Sequence, residues 1–349
     1  MQAFSYVAVT SEGEAIGAKR RGGGGEGGNG GRGGSAFVAG GTTLLDIMKL
    51  GVEEPGELVD INHVPLVGVE EVKGGGLRIG ANVRNTELAY HPLVVERYRV
   101  LSEAILSGAS PQLRNMATTG GNLMQRTRCY YYRDVSYPCN MREPGSGCSA
   151  IEGYNRIHAV LGTSEKCIAT HPSDMCVALA ALEAVVIVHG QSAGGHEATI
   201  GEASERRIPF EEFYVGYGKD PARWNTLGED ELIVAVEIPP LPMAKRGRYL
   251  KVRDRASYEF ALASVAAMLE VEGGVVKDAR VALGGVATMP WRSREAEGAL
   301  VGKPAGREAF EAAAEAAMSG AMGRKYNAFK IELAKRTMVR GLEMVVGNS

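Results

Sequence analysis

Cysteine is the residue type in this sequence whose spacing points most directly to chemistry. Four of the five cysteines are grouped, separated by nine, eight and eighteen residues, at Cys129, Cys139, Cys148 and Cys167. Structural zinc sites usually carry cysteine pairs only two to four residues apart, and no such pair occurs here. Wide, irregular spacing in a loop with Gly and Pro suits a four-thiolate iron–sulfur cluster better. The spacing alone leaves both a cluster and unligated thiols open.

Two glycine turns form the second chemical signal, and their sequences are AGGTTLL (39–45) and ATTGGNL (117–123). Glycine lets backbone N–H groups approach a ligand closely, and threonine adds hydroxyl donors. A single turn of this kind is more often a plain turn than a binding site. Two of them, each at the end of a predicted strand, indicate two walls of one dinucleotide site.

The elements that position these residues follow an α+β pattern. AFVA predicts a strand that runs through the first glycine turn into a helix, LLDIMKL. Helical periodicity covers residues 86–108, and Ser173 or Asp174 is expected to cap a later helix. ELIVAVEIPP reads as a strand, and alternating strands and helices fill the final third of the chain. We therefore expect a separate C-terminal α+β layer.

Composition and charge exclude several classes of protein. The 349 residues are 45% hydrophobic and 23% charged, with a net charge of −2, so nothing favours nucleic acid or an anionic membrane. No apolar run approaches the length of a membrane span, and MQAFSYVAVTSEGEA predicts no signal peptide on this chain. Structural disulfides are rare in the cytoplasm, which favours metal ligation for the grouped thiols. Residues 22–35 are glycine-rich and predict a solvated loop.

Five stretches together resemble the FAD-binding medium subunit of the xanthine dehydrogenase and molybdenum hydroxylase family: AGGTTLLDIMK, ATTGGNLMQRTRC, CNMREPGSGC, the THPSDM block and KVRDRASYEFALASVA. The resemblance covers nearly the whole chain except residues 22–35. It implies an α+β fold: a FAD-binding domain of the vanillyl-alcohol-oxidase (PCMH) type with two subdomains over residues 1–228, and a CO dehydrogenase flavoprotein-type C-terminal domain over 229–349.

The resemblance also assigns cofactor contacts to individual residues. The first turn would wrap the FAD pyrophosphate, through Ala36, Phe37, Val38, Ala39, Gly40, Gly41, Thr42, Thr43 and Leu44. The second wall would consist of Thr118, Thr119, Gly121 and Asn122. Asp174 matches an acidic FAD contact, Lys251 a lysine near the isoalloxazine, and Ile233 an apolar wall of the ring. No nucleophile–base arrangement or nicotinamide fingerprint is present, so we assign no catalytic residue.

Each of the last three residues also has a purely structural interpretation. Asp174 could serve only as a helix cap, Lys251 could pair with Asp254 on the surface, and Ile233 could be ordinary core.

For the cysteines, the resemblance points to an insert at about 125–170 that carries an extra [4Fe–4S] cluster in the aldehyde oxidoreductase and hydroxybenzoyl-CoA reductase branches. It assigns the four grouped cysteines to that cluster, as a relay, an electron store or a structural staple. Cys176 lies on an apolar helix and is expected to be a core residue.

The resemblance implies an electron-transfer role. A small subunit with [2Fe–2S] clusters and a large subunit with the molybdenum cofactor would be the partners, and electrons from an aldehyde would reach an external acceptor through FAD. PCNMREPGSGC and KVRDRASY favour the aldehyde oxidoreductase branch over a hydroxybenzoyl-CoA-reductase-like subunit working in the opposite direction. A non-redox scaffold is the third alternative, and the intact glycine turns argue against it. Location depends on the partners: periplasmic if one of them carries an export signal, otherwise cytoplasmic.

Overall fold

The computed structural model of the protein describes residues 1–23, 33–190, 204–218 and 220–347. Most of the predicted glycine-rich loop, residues 24–32, lies outside the described residues. The described strands are, in chain order, Ser5–Ala8 (β1), Ser35–Val38 (β2), Glu57–Asp60 (β3), Val69–Glu71 (β4), Leu77–Gly80 (β5), Val185–Gly190 (β6), Ser204–Pro209 (β7), Leu232–Ile238 (β8), Arg248–Val252 (β9), Ala263–Glu272 (β10), Val275–Gly284 (β11) and Trp291–Arg292 (β12).

Helices alternate irregularly with these strands. The described α-helices are Glu12–Arg21 (α1), Leu44–Lys49 (α2), Asn85–Tyr90 (α3), Pro92–Arg97 (α4), Arg99–Ser107 (α5), Pro111–Met116 (α6), Thr119–Leu123 (α7), Tyr130–Arg133 (α8), Asp174–Ala181 (α9), Phe210–Phe213 (α10), Arg294–Leu300 (α11), Arg307–Ala317 (α12) and Phe329–Val346 (α13). This mixture confirms the predicted α+β class. Among the described helices, none is both long and apolar enough to cross a membrane.

The predicted helical stretch 86–108 is divided into three helices, α3, α4 and α5. Pro92 accounts for the first break, because the residue before a proline is disfavoured in the α region. His91 accordingly adopts extended backbone angles, with φ −62° and ψ 130°. The periodicity therefore predicted helical structure in this stretch but not its interruptions.

The first two sheets lie before the C-terminal layer. One is a three-stranded parallel sheet in the order β1–β3–β2, and the other has five strands in the order β4–β5–β8–β6–β7. Apolar side chains of α1, β3, β6 and β8 form a common core between the sheets, including Ile16, Val59, Ile187 and Val234. Strand β8 follows the boundary predicted at residue 228 and pairs with β5 and β6.

The C-terminal layer is a four-stranded antiparallel sheet in the order β12–β11–β10–β9. Helices α11 to α13 pack on it, with Phe310 and Leu342 buried in their core. Helix α9 is buried along its whole length, and it packs on this sheet so tightly that a Cβ at Gly284 would lie 2.4 Å from Val177. This packing brings the start of α9 close to β9, and both elements contribute to the site.

Candidate functional site

The first glycine turn joins β2 to α2 and rests against the second turn. Gly41 has φ +69°, a left-handed conformation that favours glycine. At Gly40, a Cβ would lie only 2.0 Å from the Met116 carbonyl oxygen, so any other residue would force the two turns apart. The sequence predicted two walls of one site, and the structure brings these turns into direct contact.

The second turn is shaped by its threonines. The Thr118 hydroxyl caps α7 by accepting a hydrogen bond from the Gly121 N–H at 3.1 Å. The Thr119 hydroxyl instead donates to the Val83 carbonyl at 3.1 Å and is buried away from the cleft. Gly120, which was not among the predicted contacts, lines the cleft.

Between the turns lies a cleft, here called the first cleft, with about 1120 Å³ of space that no protein atom fills, part of it open solvent. Most of the predicted contacts line it: Ala36, Phe37, Val38, Ala39, Gly40, Gly41, Thr42, Thr43, Leu44, Thr118, Gly121 and Ile233. Residues that the sequence did not single out also line it, among them Glu53 and Arg126.

A second cleft adjoins the first and shares Thr42, Thr43 and Gly121 with it. Asn122, Asp174 and Lys251 are among its walls. It leaves about 1010 Å³ unfilled by protein, again including open solvent. All but one of the predicted cofactor contacts, Thr119 being the exception, therefore line one of two adjoining clefts.

Asp174 is the centre of a buried polar group in the second cleft. Its carboxylate lies 2.7 Å from Lys251 Nζ and accepts a 2.7 Å hydrogen bond from the Tyr249 hydroxyl. Burial and the adjacent carboxylate raise the pKa of Tyr249, so this hydroxyl remains a donor. Ser173, not Asp174, caps α9 with its side chain, and Asp254 pairs with Arg156. Lys251 therefore has a buried partner and not the surface partner considered from the sequence.

The grouped cysteines come together in the fold. Cys139 and Cys148 face each other in an antiparallel bridge, and a hydrogen bond from Cys167 lowers the pKa of Cys148. Burial raises the pKa of Cys129 and Cys139, and the hydrogen bond to Cys148 together with burial raises that of Cys167. Neighbouring backbone N–H groups act in the opposite direction on the pKa of all four thiols, and the Ala169 N–H donates to Cys167 Sγ at 3.5 Å.

Two further observations concern metal binding at these sulfurs. His158 Nε2 lies 3.1 Å from Cys129 Sγ, and burial lowers the pKa of this histidine to about 4, so the imidazole is neutral. Over the described ranges, no group of three or more His, Cys, Asp or Glu side chains has the arrangement of a metal-ion site. Cys176 is buried in α9 against the Tyr214 hydroxyl, apart from the four. Metal ligation by the grouped cysteines thus stays a prediction.

Arginines connect the cysteine segment to the first cleft. Arg126 pairs with Glu53 at 2.9 Å, while Arg128 and Arg133 both pair with Asp46 of α2. These ion pairs join residues about eighty positions apart in the sequence. No local sequence pattern predicts contacts between residues so far apart.

A cleft lined by glycine turns, with a buried acid–lysine pair in its extension, defines a protein that binds a nucleotide cofactor. Residues 2–241 match the family described as the FAD binding domain in molybdopterin dehydrogenase, and residues 248–345 match the CO dehydrogenase flavoprotein C-terminal domain. The chain belongs to the FAD-binding subunits of the molybdenum hydroxylases and is a subunit of an oxidoreductase. The predicted family and fold are confirmed.

Relatives and solved structures agree with this assignment. The aldehyde oxidoreductase FAD-binding subunit PaoB of Escherichia coli is 48% identical over 97% of this chain and 96% of its own length. The carbon monoxide dehydrogenase medium chain of Hydrogenophaga pseudoflava is 27% identical over 90% of this chain and 86% of its own. A solved structure of carbon monoxide dehydrogenase from that organism, which lacks the Mo-pyranopterin moiety of the molybdenum cofactor, superimposes with a TM-score of 0.73 at 26% identity, covering 99% of this chain and 98% of the other.

Proposed function

We propose that this chain is the electron-transfer subunit of a molybdenum-dependent aldehyde oxidoreductase. It receives electrons from a partner subunit with [2Fe–2S] clusters and passes them through bound FAD to an external acceptor. A large partner subunit with the molybdenum cofactor oxidises the aldehyde. The name of the E. coli relative, which is 48% identical, supports this substrate class. The observation that carries the proposal is the first cleft between two touching glycine turns, which adjoins a second cleft that contains the buried pair of Asp174 and Lys251.

The residues of the cleft fit FAD. Gly40 and Gly41 leave the backbone bare where the turns meet, which allows close approach of a pyrophosphate. Bound FAD supplies the redox chemistry, and the protein supplies binding, orientation and electrostatics. The Lys251 ammonium places a positive charge in the second cleft, and its ion pair with Asp174 fixes the position of that charge. Ile233 adds an apolar wall to the first cleft.

The proposal is tested on the purified full chain and on the complex with its partners. Flavin absorption with about one FAD per chain is expected, and anaerobic addition of an aldehyde to the complex is expected to bleach the flavin bands. The absence of flavin from a well-folded chain would refute the proposal. If none of the aldehydes tested bleaches the flavin bands of a complex that contains molybdenum, the flavin site would stand but the substrate class would be refuted.

We also propose that Cys129, Cys139, Cys148 and Cys167 hold a [4Fe–4S] cluster. Such clusters are bound by four cysteine thiolates, and hydrogen bonds to the sulfurs tune their potential. The meeting of the four thiols in one mostly buried segment supports the proposal, together with neighbouring backbone N–H groups that act to lower the thiol pKa values against the effect of burial. A cluster here would add a one-electron centre and tie the insert together.

Iron analysis and EPR spectroscopy of the anaerobically purified chain test this second proposal. About four irons per chain and a reducible cluster signal are expected. Flavin without iron would refute the cluster while leaving the FAD proposal intact.

We propose a periplasmic location, reached by co-export with a partner subunit that carries the signal. Fractionation of cells expressing all subunits would test it. Recovery of the complex in the cytoplasm would favour the alternative.

A further inference from the structure

Arg126 stands where the first cleft meets the cysteine segment. Its side chain is 10% exposed and is part of the cleft wall. Its Nε lies 2.9 Å from Glu53 Oε1 and donates to the Tyr132 hydroxyl at 2.8 Å. Its Nη1 is buried and has no hydrogen-bond partner among the described residues. A charged side chain in the cleft wall therefore has a terminal nitrogen whose N–H groups are unused among the described residues.

The guanidinium is held in place from several sides. Its Cζ lies 5.0 Å from the centroid of the Trp224 ring and 5.2 Å from that of Tyr132, both within the range of cation–π attraction. Glu53, only 9% exposed, anchors the Nε side. A buried donor without a partner costs free energy. A ligand oxygen that reaches Nη1 from the cleft would remove that cost.

The chemistry of the donor limits what this ligand can be. A guanidinium only donates hydrogen bonds, and it prefers anionic oxygens, phosphate foremost. The first cleft contains the turn assigned to the FAD pyrophosphate. Of the three residues assigned to the flavin, Asp174 and Lys251 line the second cleft and Ile233 lines the first. Arg126 is not among the described walls of the second cleft.

We propose that Arg126 binds the adenosine diphosphate half of FAD through Nη1. The inference rests on the proposed function, since it takes FAD as the ligand of the cleft. It has a consequence for the insert: the segment that carries the cysteines contributes a side chain directly to cofactor affinity. Glu53 and Tyr132 act as positioning residues, because they orient Arg126 and make no contact with the cofactor in this proposal.

The test measures binding to the full chain after its FAD has been removed. Wild type, Arg126→Gln, the double variant Glu53→Gln/Arg126→Gln and Arg133→Gln are each titrated with FAD and with ADP. The double variant removes both charges of the buried pair, so that no unpaired carboxylate destabilises the fold. Arg133→Gln is the matched control: Arg133 lies in the same segment and pairs with an acidic residue, Asp46, but is absent from the described walls of the cleft.

Both Arg126 variants are expected to bind FAD and ADP at least about tenfold more weakly than wild type, with Arg133→Gln unchanged. Wild-type ADP affinity in the folded double variant would overturn the inference and leave the proposed function standing. An equal loss in Arg133→Gln would also overturn it, because the effect would then belong to docking of the segment. A wild-type chain that binds neither ligand would overturn the proposed function and this inference together.

Discussion

The ammonium of Lys251 lies 2.7 Å from the Asp174 carboxylate, and this ion pair joins the C-terminal sheet to helix α9. Both side chains are nearly buried, at 3% and 8% exposed. The pair lies in the second cleft. Because Lys251 belongs to β9 and Asp174 to α9, the geometry of the pair depends on how these two elements pack. A cation in this position is therefore held by contacts from two layers of the fold.

Replacing Lys251 by Met tests the energetic weight of that pair. Removing one member of a buried ion pair leaves the other charge unpaired, at a cost of about 3–5 kcal/mol. We expect the free energy of unfolding, measured with urea, to fall by that amount and the FAD content of the purified protein to fall with it.

The double variant Asp174→Asn/Lys251→Met separates stability from function. It removes both charges, so most of the lost stability is expected to return. The reduction potential of the bound flavin is still expected to differ from wild type, because the cation is gone. If Lys251→Met were as stable as wild type, the two charges would not form a buried pair.

Gly40→Ala tests the contact between the two glycine turns. The new Cβ would lie 2.0 Å from the Met116 carbonyl oxygen, a backbone atom that cannot move without shifting the second turn. FAD affinity is expected to fall at least about tenfold, measured by fluorescence titration. Gly298→Ala, on the exposed side of α11 with no atom within 4 Å, is the control and should gain up to about 1 kcal/mol of stability. Unchanged affinity in Gly40→Ala would show that the turns can separate without loss of the site.

The glycine turns were predictable because their signal is local. AGGTT and TTGGN each combine bare backbone and hydroxyls within a few residues, and the family resemblance added the cofactor. What the sequence could not give was the direction of each side chain. Thr118 and Thr119 are adjacent and chemically identical, yet one caps the turn beside the cleft and the other faces Val83.

Long-range pairing explains the remaining differences. Lys251 has an acidic neighbour three positions away, Asp254, but its partner is Asp174, 77 positions away. The pair of Glu53 and Arg126 likewise joins separate segments. Periodicity and spacing report only on neighbours along the chain, so contacts of this kind become visible only when the layers are packed.

Serine substitution of each grouped cysteine tests the cluster. Serine keeps nearly the same shape but removes the thiolate ligand, so any one of the four changes is expected to lower the iron content from about four per chain to below one. Cys176→Ser is the control, because Cys176 contacts Tyr214 and lies apart from the group. Iron that survives all four single substitutions, or that is lost equally in Cys176→Ser, would count against ligation by these residues.

The stability of the protein at acidic pH is expected to depend on His171. Burial lowers the pKa of His171 to about 3 in the folded protein, whereas an unfolded histidine titrates near 6.5. Between these values the unfolded chain binds more protons than the folded one. The free energy of unfolding should therefore fall as the pH is lowered from about 6.5 towards 3, by about 1.4 kcal/mol per pH unit from this residue.

His171→Phe isolates that contribution. The ring packs edge-on against Tyr214 at a centroid distance of 4.5 Å, so phenylalanine keeps an aromatic contact and removes the titration. Subtracting the urea unfolding free energies of the variant from those of wild type, across pH 4 to 8, should give a difference that is constant above about pH 6.5 and declines below it. Parallel curves for wild type and His171→Phe would contradict the lowered pKa of His171 in the folded protein.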